Sequence, residues 1–493
     1  MGQSRWVGAG GSVSEERRVY VGGEWATASG TDVLEVISPH SEDVIATVAS
    51  AGQADVDAAV AAARRAFDEG PWPRLDPVER IAAVRRIAEL YGARRKQMAE
   101  LITAEMGAPA SFSKFAQAML PMMLLTSFAD IAAGYEWEER RPGAFGGELL
   151  VRHEPVGVVA AIIPWNLPQF LITGKLAPAL LAGCPIIIKP APETPLDALL
   201  LAEVVEEAGL PPGLVSVLPG GADVGAMLVE HPDIDKVAFT GSSAVGRQIA
   251  ASCGSALKRV SLELGGKSAA IVLDDADPGV VAAGVKIAGL MNGGQACVAQ
   301  TRVLVPESRQ DEYLDAVAAM VEDLVVGDPT DPATEIGPLV ARRQQERVRG
   351  YIEDGERSGA RLVVGGADLP KGVDRGWYIR PTLFAGVDNG MRIAREEIFG
   401  PVLSVIPYRD ADEAVRIAND SSYGLSGSVW TNDADRGLDV ARRIRTGSFG
   451  INQPYSMDPA GPFGGVKDSG IGRELGREGL EGYLDTKAIS FAG

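Results

Sequence analysis

The sequence predicts an α/β chain built on two mainly parallel sheets, and three observations predict it. Between residues 156 and 264, short apolar runs alternate with helical stretches about five times. A second alternation starts at Ser268 and continues to Ile451. The 493 residues are also too many for one hydrophobic core, since domains cluster near ~100–150 residues. Strand–helix–strand alternation implies βαβ units and a parallel sheet covered by helices.

The elements follow in chain order. Residues 1–15 have no continuous apolar run and read as a flexible leader, not a secretory signal. Residues 54–67 and 77–105 are alanine-rich with apolar positions at helical spacing, as in long helices packed on one face. The polar, glycine-rich stretch 140–147 marks a candidate boundary. Residues 158–163 form a short all-apolar run, expected of a strand buried on both faces. A Pro-Trp-Asn turn and a helix over 170–181 follow, then strand 186–188, helix 196–207 and strand 215–218. Helix 224–230, strand 237–239, helix 244–251 and strand 260–264 complete the first unit. In the second unit, strands are expected at 269–273, 302–305, 361–364, 403–407, 426–430 and 447–451. Helices at 311–324, 342–357, 412–419 and 434–445 separate them. The glycine-rich tract 461–476 reads as a loop and 482–491 as a strand-like tail.

Composition narrows the function. Hydrophobic residues make up 46% and charged residues 23%, as in a folded globular chain. The 47 Lys and Arg against 66 Asp and Glu give a net charge of −19, which repels nucleic acid backbones and anionic lipid surfaces. The most apolar stretch, 156–188, is interrupted by Pro164, Asn166, Pro168, Gln169 and Lys175, so no membrane span is expected there. Three cysteines leave at least one free thiol, which favours a reducing, cytoplasmic compartment. No paired His or Cys spacing supports a metal site.

Four segments could carry chemistry. Cys297 lies on the glycine-rich turn Asn292-Gly-Gly-Gln-Ala-Cys297, approachable but in need of a positive field or backbone N–H groups to ionise. Cys184 and Cys253 read as buried apolar filler. Glu263, between two leucines near a strand end, is a desolvated base or else a surface acid. The adjoining Gly266-Lys267-Ser268 mimics half a P-loop, but Ser261 stands where its leading glycine belongs, so nucleotide triphosphate hydrolysis is rejected. Phe239-Thr-Gly-Ser242 with Gly246 opens a helix after a strand, where a diphosphate could approach free N–H groups or a plain turn could lie. Asn166, after another strand, is either a turn former or a donor to an oxyanion.

Together these segments resemble the NAD(P)-dependent aldehyde dehydrogenase superfamily. The resemblance rests on Ile163-Pro-Trp-Asn166, Lys189-Pro, Phe239-Thr-Gly-Ser242, Glu263-Leu-Gly-Gly-Lys267, Gly294-Gln-Ala-Cys297, Glu397-Ile-Phe-Gly-Pro401 and Pro462-Phe-Gly-Gly465 with Ser469-Gly-x-Gly-Arg-Glu474. The seven occur in the family's order from about residue 20 onward. The resemblance implies Cys297 as nucleophile, Asn166 with the Cys297 N–H as oxyanion hole, and Glu263 as base for water. It implies Lys175 and Glu474 as a proton relay. For the cofactor it implies Ile162, Pro164, Trp165, Lys189, Gly220, Phe239, Gly241, Ser242, Gln344, Glu397 and Phe399. For the substrate wall it implies Leu167, Phe170, Gly174, Ala296, Met457 and Phe463, with Met119 and Met122 as further lining.

Two departures from the family shape the expectation. Pro192 stands where many NAD-preferring members carry a ribose-gripping glutamate, so NAD is favoured while NADP keeps room. Leu167, Gly174 and Ala296 are smaller than the family's frequent aromatics, which points to a roomy tunnel for medium or large hydrophobic aldehydes. The implied architecture is a Rossmann-like cofactor domain at 16–137 and 156–266, a catalytic domain at 267–468, a returning loop at 469–478, and a β arm at 138–155 and 479–493. Such an arm pairs its edges with a second subunit, giving a homodimer or homotetramer. The alternatives are transfer of the acyl group to coenzyme A, a thiol esterase without redox chemistry, and a non-catalytic relative.

Overall fold

The computed structural model describes residues 13–454 and 457–492. Residues 156–264 supply the parallel centre of an eight-stranded sheet, in the order Arg259–Glu263, Lys236–Thr240, Val159–Ile162, Ile186–Lys189, Val215–Val217. Val159–Ile162 and Ile186–Lys189 are buried at every position, because helices cover both faces. Antiparallel strands close the two sides: Gly470–Ile471 on one, Arg18–Val21 with Glu24–Thr27 on the other.

The second sheet has seven strands, Arg361–Val364, Thr382–Ala385, Val402–Tyr408, Arg302–Pro306, Ala269–Val272, Gly427–Trp430 and Gly450–Ile451, parallel except at the Arg361–Val364 edge. A separate antiparallel sheet joins Leu484–Phe491, Glu148–Pro155 and Glu138–Pro142, the first two paired along their full length. The glycine-rich stretch noted in the sequence is the turn between its two hairpin strands.

The structure corrects several expectations. Ser14–Glu16, inside the expected leader, is a strand paired in parallel with Val44–Ala49; residues 1–12 lie outside the described residues. The expected returning loop 469–478 contributes the edge strand Gly470–Ile471 and starts the helix Gly476–Glu481. The terminal strand therefore begins at Leu484 and not at residue 479. The sequence reading also missed the strands between Ser14 and Ala49, and Thr382–Ala385 in the second sheet.

One helical stretch, Ala110–Ala133, is long and apolar enough to span a membrane by length and composition. Its Leu124, Leu125 and Phe128 are instead buried in the protein core, against Pro77–Met106 and Pro168–Ala182. Seven of its residues, Ser113–Met119, are π-helical.

Candidate active site

The strand tips of the first sheet open toward a cavity of about 260 Å³. Ten of the sequence-derived residues line it: Pro164, Trp165, Asn166, Gly241, Ser242, Glu263, Cys297, Gln344, Glu397 and Phe399. Strand Val159–Ile162 delivers the Pro-Trp-Asn turn, Lys236–Thr240 delivers Gly241 and Ser242, and Arg259–Glu263 ends on the carboxylate.

Cys297 reaches the cavity from a turn that needs unusual backbone. Asn292, Gly293 and Gly294 all have positive φ, at 53°, 65° and 73°. A Cβ at Gly294 would stand 2.2 Å from the Gly400 carbonyl oxygen, so only glycine fits there. The turn is tied internally: Gln295 Nε2 donates to the Asn292 carbonyl at 3.0 Å, and Val340 N–H donates to Gln295 Oε1 at 3.0 Å.

Asn166 is held by the same turn. Its Nδ2 donates to the Gln295 carbonyl at 3.1 Å, and its own carbonyl accepts from Gln117 Nε2 at 2.8 Å and Asn292 Nδ2 at 3.1 Å. One amide proton is thereby spent on orientation, and the second remains for a ligand.

The electrostatics differ from the sequence expectation. Cys297 keeps some exposed surface, yet burial pushes its thiol up to about 12, and the charges of Glu397 and Glu263 add to this. The Val298 and Cys297 backbone N–H groups pull the other way. No positive field stands beside the sulfur, so the resting thiol is protonated. Burial also lifts Glu263 well above its usual range, and Glu474 lifts it further, against Lys175 and Arg473. Glu263 Oε2 is buried without a hydrogen-bond partner. Burial brings Glu397 up to about 7, although its Oε1 accepts from Gly266 N–H at 3.0 Å.

Lys175 and Glu474 form a buried ion pair of 2.6 Å. Lys189 Nζ donates to the carbonyls of Gly220 at 2.7 Å and Pro190 at 2.8 Å. Ile162 Cδ1 and the Lys189 stem both approach the position of a Cβ on Gly225, within 3.9 Å. Phe399 has φ 64° and meets Trp165 edge to face, with ring centroids 5.3 Å apart. Leu167, Phe170, Ala296 and Phe463 are buried in one apolar cluster, with Cys297 and Met457 packed against it. Gly174 is buried in helix Pro168–Ala182. Met119 and Met122 are a correction. The Met119 sulfur accepts from Arg95 at 3.3 Å, and a Cβ on Gly92 would stand 3.1 Å from the Met122 sulfur, so both lean on helix Pro77–Met106.

The cavity suits a dinucleotide. Gly241 and Ser242 lead into helix Ser243–Ser255, whose first N–H groups favour an anion. A Cβ at Gly241 would stand 2.4 Å from the Phe239 ring, and one at Gly265 would stand 2.5 Å from Glu397 Oε2, so small residues keep the cradle open. Thr240, Leu264, Gly265 and Arg347 also line it and were missed. Arg347 was findable, one helical turn beyond Gln344 on the same face. Gln117 carries no sequence signal, because only the tertiary fold brings it to Asn166.

The sequence model of the aldehyde dehydrogenase family matches residues 25–489. The chain belongs to this family. A geranial dehydrogenase of Castellaniella defragrans is 46% identical over 479 residues, covering 97% of this chain and 99% of that protein. A 3-succinoylsemialdehyde-pyridine dehydrogenase of a Pseudomonas species is 42% identical, covering 96% and 98%. Among solved structures, a Mycobacterium tuberculosis aldehyde dehydrogenase complexed with NAD+ superposes with a TM-score of 0.95 at 49% identity, covering 98% and 99%. Aldehyde dehydrogenase C of Pseudomonas syringae, complexed with NAD+ and octanal, gives 0.93 at 43% identity, covering 96% of each chain. As an aldehyde dehydrogenase, the protein is an oxidoreductase that oxidises aldehydes.

Proposed function

We propose that this aldehyde dehydrogenase converts a medium or large hydrophobic aldehyde to its carboxylic acid through a covalent intermediate on Cys297, with NAD as acceptor. One observation carries the reading: Cys297, Asn166 and Glu263 line a single cavity together with Glu397. The sulfur, once ionised, adds to the aldehyde carbon. Asn166 Nδ2 and the Cys297 N–H donate to the resulting alkoxide oxygen. An aldehyde carbon releases hydride only from this tetrahedral state, and the bound nicotinamide supplies the hydride acceptor. The product is a thioester on Cys297. Glu263 takes a proton from water, which attacks the thioester carbon and releases the acid and the thiol.

The hydrophobic substrate reading rests on the small or aliphatic side chains of Leu167, Gly174 and Ala296 beside the thiol turn. The activities of the relatives on geranial and with octanal agree with it. For the cofactor, Pro192 offers no acceptor to the adenosine 2′-hydroxyl, while the neighbouring Glu193 is ion-paired with Arg343. NAD is the proposed cofactor, and the ratio of kcat/KM for NAD and NADP decides it. We place the enzyme in a reducing cytoplasmic compartment as a homodimer or homotetramer assembled through the edges of the sheet of Leu484–Phe491 and Glu138–Pro142.

The test follows reduced-cofactor absorbance against a panel of aldehydes, with Cys297→Ala beside wild type. Turnover retained in Cys297→Ala, or a small polar aldehyde as the best substrate, overturns the reading. Acid formed without coenzyme A excludes acyl transfer, and dependence on the cofactor excludes a plain thiol esterase.

A further inference from the structure

The Gly266-Lys267-Ser268 run has no place in the chemistry above, yet its lysine is among the most buried charges in the protein. Lys267 is 2% exposed, and its Nζ has no hydrogen-bond partner. Ser268 Oγ, next in the chain, is also buried without a partner. Both residues line a small cavity of about 10 Å³ on the second sheet, together with Arg302, Tyr423, Ser426 and Thr446. That is room for one water-sized sphere.

Charge makes this cavity unusual. Arg302 is equally buried and spends its donors on neutral oxygens: the carbonyls of Lys267, Ile417 and Ala418 and Oδ1 of Asn389, at 2.9–3.0 Å. Two buried cationic side chains thus sit side by side, and neither is in a direct ion pair. A buried charge persists only when an opposite charge meets it or it loses its proton. Arginine keeps its proton, so the imbalance falls on the lysine.

We propose that this cavity binds one small monovalent anion of chloride's size, held by Lys267 Nζ and Ser268 Oγ in the field of Arg302. The ammonium and the hydroxyl are donors, and a monatomic anion accepts from both without needing a donor in return. A carboxylate, sulfate or phosphate is too large for the space. The same groups make binding pH-dependent. Burial and then Arg302 hold the Lys267 amine down near 7, with Glu397 and Glu396 pulling it up and Arg347 down. Tyr423, also on the cavity wall, is held above its usual range by burial and then by Glu397, and stays neutral. Anion uptake therefore recruits a proton to Lys267, and affinity falls as pH rises above about 7.

Crystals grown without halide and soaked in bromide test the site directly through anomalous scattering. In parallel, Tm is followed in sodium chloride against sodium gluconate at equal ionic strength, for wild type and Lys267→Met. The expected result is a bromide peak in the cavity and a saturable rise in Tm of about 2–3 °C, absent in Lys267→Met. Should that variant not fold, Ser268→Ala is expected to shift the chloride dependence to several-fold higher concentration. A water with no anomalous signal overturns the proposal, as does a Tm rise that Lys267→Met or Ser268→Ala leaves intact. A bromide peak without any halide-specific stabilisation means an adventitious ion only and overturns it as well.

Discussion

Glu474 Oε1 stands 2.6 Å from Lys175 Nζ, and the same Nζ donates to Thr240 Oγ1 at 2.7 Å. The pair is buried, and the Glu474 charge is the largest electrostatic influence raising Glu263. A base works only when deprotonated, so acid formation is expected to rise as pH climbs through the elevated Glu263 pKa. Glu474→Gln removes that neighbouring charge and leaves Lys175 positive, so the acid limb of the kcat profile moves to lower pH. An unmoved limb sinks the coupling. Glu263→Gln is expected to slow acid formation by about 10²–10⁴-fold.

Alkylation reports the state of the thiol. With the sulfur near 12 in the free enzyme, iodoacetamide reacts slowly at pH 7.5 and faster with each step upward in pH. After burial, Glu397 is the first cause of this elevation, so Glu397→Gln is expected to speed alkylation. The gain is about tenfold for each unit by which the thiol pKa falls. Equal rates in the two proteins would remove Glu397 from the account.

A buried carboxyl pair makes stability depend on pH. Glu105 accepts from the Leu196 and Asp197 N–H groups at 2.9 and 3.0 Å, while Asp197 accepts from Gln169. Burial raises Asp197 to about 7 and Glu105 well above its usual range. The folded state therefore holds more protons than the unfolded chain, and stability falls as pH rises from about 4 to 7. Asp197→Asn is expected to flatten this fall and to add about 1–3 kcal/mol at pH 8 with no gain near pH 4. Thermal unfolding across that range checks it; parallel curves for the two proteins would refute it.

Gly174 lies in the interior of helix Pro168–Ala182, where a Cβ would meet only Leu475 Cδ2 at 4.0 Å. Gly174→Ala is expected to stabilise the protein by about 0.5–1 kcal/mol through helix propensity. Gly174→Phe is expected to raise KM for the bulkiest aldehydes and leave acetaldehyde unaffected. A uniform change in KM would take Gly174 off the substrate wall.

The buried parallel strands were legible because each is a short apolar run bounded by glycine, proline or asparagine, as at 158–163 and 186–188. The turns that carry Asn166, Ser242 and Cys297 were legible for the same reason: they break the pattern at strand ends. Thr382–Ala385 was not, since four mixed residues become a strand only by pairing with neighbours distant in sequence. Gly470–Ile471 is shorter still and exists only beside Leu262 and Glu263. The acidic surroundings of Cys297 were hidden as well. Glu397 follows it by a hundred residues, and no local pattern says that the two share a wall.

Helix Pro168–Ala182 and the residue before it hold Leu167, Phe170 and Gly174 at a spacing that returns to one stripe, while sulfur, amide and carboxylate come from turns and strand tips elsewhere. Diet and chemistry are thus written in separate places. A duplicated gene could drift toward new aldehydes by a few codon changes along that stripe and keep a working catalyst at each step.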